Sequence, residues 1–224
     1  MKKFFWLHIK KSAGTFTQNI LQPHYIQSHH FVYNNIINNF RVDLGEYNFK
    51  RTLFAKNFFY KDEWNSIYSF AFSREPIDRA ISIYFYLFRP NILSNIKQSI
   101  IHKRLIFNHH YRFDIFLDLV QQKIRSDSRN SLSSKHFTTH TATMFEDISD
   151  YNDKVLLTKV YRLENIIKGI NEVFNACGIK KTIENNNKKI NKNPYREIMT
   201  PSKSQLIKIR NIYEKDFELY ENAI

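Results

Sequence analysis

One cysteine, Cys177, leaves the chain without any internal disulfide, which excludes the small cross-linked scaffolds of the secreted world. Its neighbours Phe174, Ala176, Gly178 and Ile179 place it at the buried end of a helix. A reducing compartment fits that placement. Long apolar runs are also missing. Met1, Lys2 and Lys3 make a basic opening, but Lys10 and Lys11 cut the run from Phe4 to Ile9 too short for a signal peptide or a membrane span, and no later segment reaches spanning length. A cytoplasmic, unanchored protein is expected. Acidic residues are few: 21 Asp and Glu stand against 34 Lys and Arg, for a formal charge of +13. This balance favours anionic partners without choosing among nucleotides, acidic glycans, nucleic acid and membrane surfaces. No nucleic-acid-binding module, internal repeat or defensible metal-ligand spacing of histidines is present, so neither nucleic acid nor a metal is expected as a partner.

What the chain does have is a core. A hydrophobic fraction of 42% and an aromatic fraction of 16% exclude disorder, and 224 residues suit one domain spanning 1–224. Phe4 to Ile9 reads as a buried strand, Lys10 to Thr15 as a tight turn, and Phe16 to Gln22 as a short helix stopped by Pro23. The stretch from His24 to Tyr60 is polar and irregular, with one possible strand near Thr52 to Ala55. Ile67 to Ser73 is a second strand. Pro76 then opens a helix whose apolar face carries Ile77, Ala80, Ile81, Tyr84, Phe85 and Phe88. Ile92 to Arg125 reads as two helical pieces, Ser126 to Ser134 as a loop, and Val155 to Tyr161 as a third strand. Ile166 to Ala176 forms an amphipathic helix closed by Gly178, Lys180 to Asn193 a loop or flap, and Thr200 caps a last helix opened by Pro201. Strands alternating with helices predict an α/β fold with a central parallel sheet.

Two segments carry chemistry. His8-Ile9-Lys10-Lys11-Ser12-Ala13-Gly14-Thr15 lies between a strand and a helix, where small residues let backbone N–H groups approach an oxyanion and the helix start adds positive potential. Lys11 adds a full charge. A Walker A loop is excluded because the lysine precedes the glycine. Arg74 then leaves the second strand, with Arg79 and Ser82 on the helix that follows. Two anion sites at neighbouring strand ends suit a nucleotide with two phosphate positions.

These residues resemble the sulfotransferases that use PAPS (3'-phosphoadenosine-5'-phosphosulfate), in particular the carbohydrate and heparan sulfate 2-O-sulfotransferase branch. His8 to Phe16 is similar to that family's 5'-phosphosulfate loop, and Phe72 to Tyr84 to its 3'-phosphate element. Two further segments match in order: Val160-Tyr161-Arg162-Leu163-Glu164-Asn165, and Tyr213-Glu214-Lys215-Asp216-Phe217. The resemblance implies a P-loop nucleoside-kinase-like sulfotransferase fold and transfer of a sulfuryl group from PAPS to a hydroxyl, with PAP (3'-phosphoadenosine-5'-phosphate) as product and a carbohydrate as acceptor. It also implies that Lys11, Ser12, Ala13, Gly14, Thr15 and Phe16 hold the 5'-phosphosulfate, Arg74 and Ser82 the 3'-phosphate, and Lys192, with Lys188 and Lys189, a closing flap.

The general base has no family match. Asn57 stands where that branch carries a histidine, and an amide takes no proton at neutral pH. His29, His30 and Glu63 are candidates by chemistry. His136 and His140, in the segment from Ser133 to Thr141, are expected to border the acceptor. Lys10 replaces the family's proline, and Glu75 its usual aspartate. A PAP-binding protein without catalysis, or an ATP-dependent small-molecule kinase, are the alternative readings.

Overall fold

The computed structural model describes residues 2–25, 28–39, 44–47, 49–87, 109–125, 132–184 and 199–224. Lys188, Lys189 and Lys192 lie outside the described residues, as do residues 92–108 and 126–131 of the sequence reading. Three strands, β1 (Phe4–Leu7), β2 (Tyr68–Ser73) and β3 (Lys159–Arg162), form one parallel sheet in the order β1-β2-β3. Phe4 pairs with Tyr68 and Leu7 with Ala71, and β2 runs two residues further, to Ser73. β1 and β2 are buried along their whole length, which is why they read as continuous apolar runs.

Helices cover both faces. Phe4, Trp6, Phe70, Phe72 and Tyr161 pack on the side of α1 (Gly14–Leu21) and of Ile166–Cys177, the helix closed by Gly178 in a left-handed C-cap. Phe5, Leu7, Ile9 and Ala71 face the other side, with Ile37, Ala55, Met144 and Ile148. A third cluster joins the helix Pro76–Leu87 to His109–Arg125 and Lys203–Ile212. In chain order the helices are α1, α2 (Ser28–Asn38), α3 (Arg51–Phe54), α4 (Pro76–Leu87), α5 (His109–Arg125), α6 (Leu132–Thr141), α7 (Met144–Ile148), α8 (Ile166–Cys177), α9 (Lys203–Ile212) and α10 (Glu214–Glu221). None of them is long and apolar enough to cross a membrane.

The outer edges of the sheet are closed by unlike devices. Along β1 lies α2, where Asn34 Oδ1 accepts from the Trp6 N–H at 3.4 Å, Asn38 Oδ1 from the His8 N–H at 2.6 Å, and Asn38 Nδ2 donates to the Trp6 carbonyl at 3.0 Å. Two amides one helical turn apart thus satisfy backbone groups that a neighbouring strand would otherwise take. Along β3, Ile224 donates to the Val160 carbonyl at 3.1 Å and accepts from the Arg162 N–H at 2.8 Å.

Several expectations need correction. The polar region from His24 onward holds α2, whose Asn34 and Asn38 amides meet backbone. Thr52 to Ala55 is helical, not extended; an apolar run this short does not separate strand from helix. Val155 makes an isolated antiparallel bridge with Ser149, and β3 begins only at Lys159. Ser133 and Ser134 belong to α6. The cap of the last segment is Ser202, not Thr200, in a reciprocal box with Gln205, and the helix breaks at Tyr213.

α3 is anchored by a buried ion pair. Arg51 Nε donates to Asp147 Oδ1 at 2.8 Å and Nη2 to Oδ2 at 2.6 Å, with both residues almost fully enclosed. Asp147→Ala leaves the guanidinium buried and unpaired, so urea denaturation should show a loss of about 3–5 kcal/mol. The double variant Arg51→Met/Asp147→Leu should recover most of it; a single variant as stable as wild type would show that the pair is not a tie.

Candidate functional site

β1 ends at Leu7, and the chain must turn back within six residues to start α1 at Gly14. It does so with Lys11 at φ 67 and Ala13 at φ 56, both in the left-handed region, a backbone arrangement that lets successive N–H groups converge into an anion-binding concavity. Ala13 is the N-cap and gives no side-chain hydrogen bond. The N–H groups of Gly14, Thr15 and Phe16 therefore have no partner within the helix. Ser12 Oγ is sealed from solvent and has no hydrogen-bond partner among the described residues. An unpaired buried hydroxyl costs about 1–3 kcal/mol, so a ligand that accepts from Ser12 recovers that cost.

The loop sits close against β1. A Cβ on Gly14 would lie 1.7 Å from His8 Nε2, so only glycine allows α1 this near. His8 stacks on Trp6 at 5.3 Å and 17°. Burial first, then the Lys10 charge, hold its imidazole well below its usual pKa; it is a neutral packing group.

Three arginines grip the loop carbonyls. Arg51 Nη2 donates to His8 O at 3.1 Å, Arg79 Nε to Lys10 O at 3.2 Å, and Arg74 Nη1 to Lys11 O at 3.0 Å. Arg79 is consumed by this work: it also reaches Asp216 Oδ2 at 3.4 Å, His140 O at 3.3 Å and Ala142 O at 2.7 Å. Asp216 in turn accepts from the N–H groups of Met144 and Phe145 at 3.0 and 2.9 Å, and the Tyr213 hydroxyl donates to Thr141 O at 3.1 Å. Arg74 differs. Beyond Nη1, its guanidinium has no hydrogen-bond partner among the described residues, and neither has Ser82 Oγ, although both side chains are largely enclosed.

Beside the loop lies an aromatic group. The Lys11 ammonium stands 4.2 Å over the Tyr86 ring, and Tyr86 stacks on His140 at 4.8 Å and 23°. His140 Nδ1 bonds to the His136 carbonyl at 2.8 Å, which makes Nε2 the basic nitrogen of the neutral ring. Burial pushes the His140 pKa down to about 3; the bond to the His136 carbonyl works against this, and the His136 ring, Lys10 and Lys11 add to the fall. Lys10 is enclosed and donates to Asn38 O at 2.7 Å. Its pKa falls to about 7, through burial and then Arg51.

Of the residues singled out in the sequence, Lys11 to Phe16 and Arg74 meet at one place, and Ser82 lies on the helix that follows Arg74. His136 and His140 come to the same loop from α6. His29 and His30 do not. His30 is packed against Phe4 and Tyr25, with Nδ1 3.0 Å from the Tyr60 hydroxyl, beside the first residue of β1, whereas the loop follows the last. From His30 to Asn38, whose amide touches His8, α2 rises about 12 Å. His29 is exposed on the same turn, and Glu63 pairs with Lys3 at 2.6 Å, also at the far end of β1. Asn57 is exposed on a single π-helical turn, Ala55–Tyr60. Sequence reading missed Arg51, Asp147 and Tyr86, and missed Asn34 and Asn38, whose i, i+4 spacing with His30 was their one visible signal.

A family model described as the sulfotransferase family matches residues 1–222. No curated protein and no solved structure gives a significant match.

Lys10 yields a pH signature. Its folded pKa of about 7 lies below the value near 10.4 of an unfolded lysine. Between the two, the unfolded chain holds a proton that the folded chain does not, so stability rises as pH climbs. Relative to Lys10→Met, wild type should gain about 2 kcal/mol between pH 7 and pH 9 in urea titrations. An unchanged difference would show the amine charged throughout that range.

Proposed function

The chain belongs to the sulfotransferase family, and from that premise we propose that it transfers the sulfuryl group of PAPS to a carbohydrate hydroxyl. The observation that carries this reading is the closeness of two candidate anion sites at neighbouring strand ends: the loop after β1, and Arg74 with Ser82 after β2, joined by the bond from Arg74 to Lys11 O. A 3',5'-bisphosphorylated nucleotide carries an anion at each of two positions. The sealed Ser12 hydroxyl and the uncapped start of α1 fit the donor's 5' end, and the unpaired nitrogens of Arg74 fit its 3' end in the bidentate manner of guanidinium and phosphate.

Lys11 neutralises charge on the leaving phosphate oxygen. His140 takes the proton. As the acceptor oxygen bonds to sulfur and the bond from sulfur to the phosphate oxygen breaks, the hydroxyl proton passes to His140 Nε2, with the His136 carbonyl holding the ring in place. Asn57 at the family's histidine position favours one other reading, a PAP-binding protein without turnover.

Labelled sulfate transfer from PAPS to a panel of neutral and acidic oligosaccharides separates the two. Transfer is expected in wild type, with His140→Gln lowering kcat by about 10²–10⁴ at an unchanged KM for PAPS. Wild-type turnover by His140→Gln would remove the proton role from this residue, and donor binding without transfer to any acceptor would favour the non-catalytic reading.

A further inference from the structure

A cavity of about 370 Å³ opens at the outer edge of β1, between α1 and α2, and its lining includes Trp6, His8, Lys10, Gln18, Tyr25 and Asn35. This falls within the size range of about 300–1,000 Å³ for ligand pockets. We propose that it is the acceptor subsite, and that it takes the ring of a sugar whose hydroxyls are read by Gln18 and Asn35. The proposal rests on the donor reading given above for its place in the reaction.

The chemistry of the wall names the class. Five of the lining side chains are amides, Gln18, Asn34, Asn35, Asn38 and Asn39, and none of the described lining residues is a carboxylate. Each amide offers a donor and an acceptor side by side, the pair that adjacent sugar hydroxyls match. Asn34 and Asn38 are committed to the edge of β1. Gln18 and Asn35 are exposed and their side-chain amides make no hydrogen bond among the described residues, which leaves these amides to a ligand. Tyr25, half-buried, contributes apolar surface that a sugar's C–H face covers. A phenol or an aliphatic alcohol filling the same space would strand these amides away from water without partners.

The position agrees with in-line transfer. Arg74 meets the loop from the β2 side, and the leaving nucleotide belongs there. Displacement at sulfur brings the acceptor oxygen from the opposite side, and among the described residues α2 and this cavity lie along that edge of β1. His8 and Lys10 line the cavity at its loop end, and both lie within electrostatic range of His140.

Asn35→Trp and Gln18→Trp place bulk in the cavity from exposed helix positions that make no contacts the fold needs. Three readouts are taken on wild type and both variants: the thermal shift produced by PAP, saturation-transfer NMR of methyl glycosides of glucose, galactose and N-acetylglucosamine at saturating PAP, and PAP release from PAPS with those glycosides or with 2-naphthol. The expected result is a glycoside signal and turnover in wild type, with kcat/KM reduced by about tenfold or more in both variants and the PAP shift retained. Equal glycoside binding in wild type and variants, or turnover with 2-naphthol alone, would overturn the assignment. A wild type that responds to PAP but binds no glycoside defeats the cavity assignment only, whereas one that ignores PAP defeats the donor reading.

Discussion

The Arg79 guanidinium is the contact on which the rest of the site depends. It is buried, it pairs with an equally buried Asp216, and it spends its other donors on the carbonyls of Lys10, His140 and Ala142. A buried cation is tolerated only when its charge and its donors are matched, and here the matching partners come from the loop, from α6 and the turn after it, and from α10. Asp216 extends the tie to the start of α7 through two N–H groups. One side chain on α4 thereby sets the phosphate loop, the His140 helix end and the C-terminal helices in register.

The strain in the loop becomes intelligible against this scaffold. Two non-glycine residues, Lys11 and Ala13, hold positive φ, a conformation that costs energy unless the surroundings enforce it. Arg51, Arg74 and Arg79 enforce it from three separate elements by fixing three consecutive or near-consecutive carbonyls. The same guanidinium groups add positive potential beneath a concavity already lined with N–H groups. Two of these arginines are wholly structural and one, Arg74, retains donors for a ligand.

Much of this was legible in the sequence where periodicity or punctuation was strong. β1 and β2 stood out as apolar runs buried on both faces, α4 began at Pro76 with a full helical stripe, and the small residues after Lys11 marked the turn into α1. The illegible parts had physical reasons. α2 escaped because Asn34 and Asn38, whose amides serve backbone groups, share its contact face with Tyr33 and Ile37 and so interrupt the apolar stripe. The histidines of α2 were plausible bases in one dimension, yet chain order does not tell which end of a strand a helix start will meet. His140 was visible as a residue near the acceptor, but its stack on Tyr86 and its link to the loop through Arg79 are purely tertiary. The Ser202 box was readable from Gln205 three residues on, a stronger signal than Thr200 ahead of Pro201.

The central claim is that the loop and Arg74 form a single site for a nucleotide with both a 5' and a 3' anion. Calorimetric titration with PAP and with adenosine 5'-monophosphate, which lacks the 3' phosphate, tests it most directly. The account predicts that wild type binds PAP at least about tenfold more tightly, since a second charge-assisted contact is worth about 1.5–3 kcal/mol, and that Arg74→Ala removes the difference. Equal affinity for the two nucleotides, or no affinity for either, would contradict it.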